Sequence, residues 1–245
     1  MGMKVQNSFR RYEKKYFLTE EQYNTFINAI SPFVKSDEYG EYTICNIYYD
    51  TDDYSLIRQS IEKPIYKEKL RVRSYGVPEK DGRVFVEIKK KFDGVVYKRR
   101  ITTTPALAEP ILKGIRSVGE NEQILKEIEY FQRFHKTSPK VFIAYDRQAF
   151  QGIDNGELRI TFDKNMRYRL DRLDLTEGDD GEPITDDGRI LMELKIPGAC
   201  PLWLTKILSE MKLNPVSFSK YGTCYLNHIL KNNRNMFTKE MLLSA

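Results

Sequence analysis

The sequence predicts an α+β protein: an antiparallel β-barrel enclosing a tunnel, with helices around it. Three observations carry this. Turn signals of the Lys80-Asp81-Gly82-Arg83, Asp93-Gly94 and Asn155-Gly156 kind separate runs of alternating residues, which is the strongest short-range cue for antiparallel hairpins. Several of those runs carry Lys or Arg at every second position. Between them lie stretches with apolar residues at helical spacing. At 245 residues with 40% hydrophobic content, the chain can build a barrel-sized core as one domain covering 1–245.

In chain order, strands are expected at 10–17, 43–50, 66–75, 83–91, 95–103, 140–149, 157–163, 166–171 and 189–196, with helices filling the gaps. Thr19 and Gln22 form a capping-box pattern before EEQYNTFINAI. NEQILKEIEYFQRFH places Ile124, Leu125, Ile128, Phe131 and Phe134 near helical spacing, and PLWLTKILSEM opens with Pro201 in a first-turn position. Residues 220–233 read as helical, and the acidic segment 174–188 as a mobile loop.

Alternation sorts the charges by face. Lys67, Lys69, Arg71 and Arg73 share one face of their strand, with Leu70 and Val72 on the other; Glu87, Lys89 and Lys91 share a face, as do Lys98 and Arg100. Tyr145 goes with Arg147, Arg159 with Thr161 and Asp163, and Glu193 with Lys195. A solvated sheet face explains any one such strand. Several together place like charges opposite one another, which is destabilising and calls for a compensating anion. Turned inward, these faces make a cationic tunnel suited to a linear polyanion. Arg grips phosphate oxygens with paired donors and Lys adds a compact charge. Carboxylates there suit a divalent ion that bridges phosphate oxygens, Glu193 first among them.

Other chemistries find little support. Cys45, Cys200 and Cys224 give neither a disulfide framework nor zinc spacing. His135 and His228 read as structural or exposed, with no triad in view. No GxxxxGK[ST] motif occurs. With no apolar run near 20 residues and no apolar signal core, a cytoplasmic protein is expected, with room for a separate membrane partner. Cys45 and Cys224 read as buried, Trp203 as packing its helix onto the sheet, and Tyr48, Tyr49 and Asp50 equally as a tunnel mouth or as core and turn.

The ordered series RRYEKKYFL, IYYDT, EKLRVRSYG, VFVEIKKK, YDRQAF, LRITFD, MELKIP and SFSKYG resembles the VTC domain over roughly residues 8–230. This is the catalytic domain of vacuolar transporter chaperone polyphosphate polymerases, within the triphosphate tunnel metalloenzyme superfamily. The resemblance implies transfer of the ATP γ-phosphate onto polyphosphate, release of ADP, and a requirement for Mn2+ or Mg2+. It implies phosphate-binding or catalytic roles for Arg71, Arg73, Lys89, Arg147, Arg159 and Lys220, with Lys15, Lys69, Lys91, Tyr145 and Lys195 in substrate binding. Glu193 is the implied metal ligand, joined by Glu13 and Glu87. RYEKKY keeps one Glu where the superfamily's hydrolases carry a fuller ExExK set, which favours a polymerase over a triphosphate hydrolase. A non-catalytic polyanion-binding module is a third reading; no RNA-module motif is present, and no nucleic-acid partner is expected.

Overall fold

The computed structural model describes residues 11–93, 95–115 and 122–231. The elements run β1 (Arg11–Leu18), α1 (Glu20–Ile30), β2 (Val34–Asp50), α2 (Ser55–Ile61), β3 (Tyr66–Tyr75), β4 (Val84–Phe92), β5 (Val95–Thr103), α3 (Pro105–Leu112) and α4 (Glu122–His135). They continue with β6 (Ser138–Gly152), β7 (Arg159–Arg169), β8 (Glu182–Pro183), β9 (Ile190–Pro197), α5 (Leu202–Glu210) and α6 (Lys220–Cys224), the last passing into a π-helical turn, Tyr225–Ile229. Strand order is β1-β9-β7-β6-β2-β3-β4-β5, with β8 on β7. The pairings β1/β9, β9/β7, β7/β8, β2/β3, β3/β4 and β4/β5 are all antiparallel. The expected α+β antiparallel architecture is therefore the one found. The order is an open path: among the described residues no backbone pairing joins β1 to β5.

The chain forms two compact units. The first comprises the described part of Met1–Tyr42 with Asp146–Asn165 and Asp187–Ser217; the second comprises Thr43–Tyr145, Met166–Asp186 and the described part of Phe218–Ala245. Each has its own apolar core. In the first, Tyr16, Leu18, Ile160, Phe162, Met192, Leu194 and Ile196 pack against Tyr23, Phe26 and Ile30 of α1 and Leu204 of α5. In the second, Leu70, Val72, Val84, Val86, Ile88 and Ile101 pack against Ala108, Ile111 and Leu112 of α3 and Leu125, Ile128 and Phe131 of α4. Helices thus cover the apolar side of each set of strands, and the alternating charged residues are left on the opposite side.

Local chemistry explains most boundaries. The Thr19 hydroxyl accepts from Gln22 N at 3.2 Å and the Gln22 side chain accepts from Thr19 N at 3.0 Å, the full capping box. Trp203 stacks on Phe33 at 4.5 Å. Cys45 and Cys224 are buried. Pro201 is the cap of α5, one position before its expected place.

Four expectations change. β2 begins at Val34, since VKSDEYGEY lacks the apolar alternation that marks a half-buried strand. The segments expected at 157–163 and 166–171 are one strand, β7, with Asn165 at φ 46°, a conformation that Asn tolerates. Phe134 lies outside the core, stacked on Tyr130. The acidic segment after β7 is held rather than loose: Arg169, 5% exposed, donates to the carbonyls of Arg172, Asp174, Gly178 and Asp180, and Arg167 grips Asp179. Local composition hides this because the anchoring arginines belong to the neighbouring strand. Of the predicted helix 220–233, residues 232 and 233 lie outside the described residues, as does Gly94 of the Asp93-Gly94 turn.

Candidate functional site

In the second unit, the face opposite α3 and α4 is a ladder of cations. Register places Lys69, Lys89 and Lys98 on one rung, and Arg71, Glu87 and Arg100 on the next, with Lys67 opposite Lys91. Cross-strand neighbours stand about 5 Å apart, so three lysines on a rung repel one another. Glu87 is the acid on this face, and its side chain is 1% exposed. Arg71 binds it through Nε at 2.9 Å and Nη2 at 2.7 Å, and Lys98 Nζ lies 2.6 Å from its other oxygen. Burial opposes ionisation of Glu87, but Arg71, Arg73 and Lys98 outweigh it and hold the carboxyl near 2. Burial moves Lys98 the other way, down to about 8, with Glu87 offsetting part of the shift. Arg100 lies over the Phe85 ring at 4.8 Å.

Beside this ladder Arg73, 7% exposed, donates from Nε to Asn46 Oδ1 at 2.8 Å and from Nη2 to the Tyr145 hydroxyl at 3.0 Å. Lys220 Nζ sits 4.2 Å from the centre of the Tyr145 ring. Lys220 opens α6, where Ser219 caps the helix by accepting from Gly222 N. Arg71 Nη1 donates to the Tyr48 hydroxyl at 3.2 Å. Burial raises the Tyr48 phenol, but Arg71, Arg73 and Lys69 pull it down to about 8.

In the first unit the corresponding face is mixed. Glu13, Lys195 and Arg159 share one rung, and Lys15, Glu193 and Thr161 the next. Lys15 Nζ lies 3.6 Å from Glu13 and 3.4 Å from Glu193. Arg147 grips the fully buried Asp163 at 2.6 and 2.7 Å and stands 4.0 Å from Glu193. Arg159 and Glu13 are exposed.

The fourteen residues expected at the site thus fall into two sets. Arg71, Arg73, Lys69, Lys89, Lys91, Glu87, Tyr145 and Lys220 belong to the second unit, and Glu13, Lys15, Arg147, Arg159, Glu193 and Lys195 to the first. Among the described residues no group of three or more His, Cys, Asp or Glu side chains is arranged to hold a metal ion. Glu13 and Glu193 share Lys15, whereas Glu87 is engaged by Arg71 and Lys98. Sequence reasoning assigned no role to Asn46, which carries no charge, or to Asp163, whose buried pairing depends on β6 meeting β7. His135 contacts Glu68 at 3.1 Å and His228 stacks on Tyr168, both away from the charged faces.

With this geometry in view, comparison with known proteins gives a family. The VTC domain family matches residues 10–228, and the chain belongs to it. One relative is vacuolar transporter chaperone complex subunit 4 of Schizosaccharomyces pombe, 26% identical over 176 residues, which is 63% of this chain and 24% of that protein; the match spans about a quarter of the relative's length. Among solved structures, a candidate adenylyl cyclase from Hippeastrum, described as having a dominant triphosphatase activity, superposes with a TM-score of 0.51 at 16% identity, covering 85% of this chain and 92% of that one. A candidate adenylate cyclase from Vibrio parahaemolyticus gives a TM-score of 0.47 at 13% identity, covering 89% and 98%. The expected α+β fold, an antiparallel sheet flanked by helices, is borne out at the level of architecture. Among the described residues no helix is long and apolar enough to cross a membrane.

Proposed function

We propose that the protein is a polyphosphate polymerase that transfers the γ-phosphate of ATP to the end of a polyphosphate chain and releases ADP. A terminal oxygen of the chain attacks the γ-phosphorus while the bond from that phosphorus to the β,γ-bridging oxygen breaks, and the electron pair leaves with ADP. Such transfer asks the protein mainly for alignment and charge neutralisation. The observation that carries the reading is the cation ladder of the second unit, where one buried acid faces Lys67, Lys69, Arg71, Lys89, Lys91, Lys98 and Arg100. Membership of the VTC family supports it. In this reading Arg71, Arg73, Lys69, Lys89, Lys91 and Lys220 neutralise phosphate oxygens, with Tyr145 orienting Arg73 and Lys220. Taken by itself, the first unit offers Arg147, Arg159, Lys15 and Lys195 as phosphate-binding cations.

Among the described residues there is no ready-made metal cage, and an ion that keeps several waters needs only one or two carboxylates together with substrate phosphates. Glu193, with Glu13, would hold Mn2+ or Mg2+ in that way. When bound, the ion would supply positive charge to the reacting phosphates. Glu87, committed to Arg71 and Lys98, would set the ladder's geometry instead. We also propose that the protein works on the cytoplasmic side, with a separate membrane protein as partner.

Incubation with ATP and Mn2+ tests the proposal. Long-chain polyphosphate and ADP are expected; free phosphate alone overturns it in favour of hydrolysis. Glu193→Gln should abolish metal-dependent turnover with the fold intact.

A further inference from the structure

Strand β2 carries the sequence Asn46-Ile47-Tyr48-Tyr49-Asp50, whose first, third and fifth residues lie on one face. All three are buried: Asn46 and Asp50 are 0% exposed and Tyr48 is 8%. Polar groups are placed in such positions at a cost unless each meets a partner, and here the partners are definite. Asn46 Oδ1 accepts from Arg73 Nε, while its Nδ2 donates to Ile143 O at 2.9 Å, which fixes the orientation of the amide. Tyr48 accepts from Arg71, directly opposite it in the β2/β3 register, and its ring stacks on Tyr221 at 5.0 Å. Asp50 Oδ2 accepts from the Tyr221 hydroxyl at 2.9 Å and from Ile57 N, and Oδ1 accepts from Leu56 N. Tyr221 is the residue after Lys220.

We propose that Asn46, Tyr48 and Asp50 form a positioning strip that sets the donors of Arg73 and Arg71 and the start of the Lys220 helix for phosphate. The inference rests on the phosphate-binding reading of the site and deepens it. Each arginine is held by two acceptors. Arg73 has Asn46 and Tyr145; Arg71 has Tyr48 and Glu87. A long cationic side chain loses much rotamer freedom when it is fixed. A guanidinium already fixed avoids that loss when the anion arrives, so affinity rises without a new contact to the ligand. Asn46, Tyr48 and Asp50 are positioning residues in this scheme, because they act through other side chains.

The test uses the full chain and inorganic tripolyphosphate as probe, measured by calorimetry well below the unfolding temperature of every variant. Tyr48→Phe removes one hydroxyl and keeps the ring on Tyr221; Asn46→Leu removes both amide bonds at similar volume. Each should weaken tripolyphosphate binding about tenfold, the scale of one hydrogen bond to a charged group. The decisive readout is coupling. Tyr48→Phe should have little further effect in an Arg71→Ala background, and Asn46→Leu little in an Arg73→Ala background. Equal losses in both backgrounds, or lowered unfolding temperature with unchanged affinity, overturn the strip and leave the phosphate site standing. Should Asn46→Leu fail to fold, the Tyr48→Phe cycle decides alone. Failure of the parent protein to bind tripolyphosphate overturns the site reading and this inference with it.

Discussion

The strands of the two units use one device with two charge balances. Both put apolar residues under helices and charged residues on the other side. On β3, β4 and β5 the charged side is nearly all cation, with Glu87 as its acid; on β1, β9 and β7, Glu13, Glu193 and Asp163 alternate with Lys15, Lys195 and Arg159. The difference shows in how the acids are held. Glu87 sits within 2.9 Å of two cations, and Glu193 meets Lys15 at 3.4 Å and Arg147 at 4.0 Å. Glu87, held by Arg71 and Lys98, has become part of the scaffold. The cation-rich side presents charge of nearly one sign, and the mixed side presents both.

The largest expected effect tests the mixed side. Arg147→Met removes the bidentate partner of Asp163, which is fully buried. Removing one partner of a buried ion pair costs about 3–5 kcal/mol, while replacing both partners by apolar groups is close to neutral. Urea unfolding should therefore show a large loss in Arg147→Met and recovery of most of it in Arg147→Met/Asp163→Leu. A loss under about 1 kcal/mol in the single variant would mean that this pair is not the anchor of the face.

Next comes the cation-rich side. The carboxyl of Glu87 lies near 2 in the folded protein, below its usual value of 4.5. A depressed carboxyl stabilises fully above the unfolded value and loses that contribution as pH falls from about 4.5 through about 2. The gap corresponds to about 3 kcal/mol. Glu87→Gln should lose about 2–3 kcal/mol near neutral pH, and its stability should fall less than the parent's between pH 4.5 and 2. Parallel acid limbs in denaturant titrations would contradict the role given to Glu87.

How far the sequence revealed these two faces depends on what each residue needed in order to be recognised. The alternation in YKEKLRVRSYG and VFVEIKKKF identified the ladder because strand geometry alone sorts its faces. Thr19 and Gln22 identified the start of α1 because the capping box is local. Asn46 stood in an apolar run with no charge, and its partner, 27 residues away, comes into reach only through the β2/β3 register. The holding of 174–183 depended on Arg167 and Arg169 facing that segment from β7. Asn165, in the left-handed region at φ 46°, lies inside one strand where a break was expected. Local pattern was legible; register and strand identity were not.

The smallest effect bears on the surroundings of Glu193. Thr161 lies directly opposite Glu193 in the register, is 6% exposed, and its hydroxyl has no hydrogen-bond partner among the described residues. A buried hydroxyl left that way costs about 1 kcal/mol. Thr161→Val keeps the shape and removes the hydroxyl, so urea unfolding should show a gain of about 1 kcal/mol. Native proteins rarely leave such a group unsatisfied, and this one stands directly opposite the proposed metal carboxylate. The same variant should therefore bind Mn2+ several-fold more weakly in the presence of tripolyphosphate, read by electron paramagnetic resonance. A gain in stability with unchanged Mn2+ binding would remove Thr161 from the site. A loss of stability would show that its hydroxyl is bonded in the folded protein.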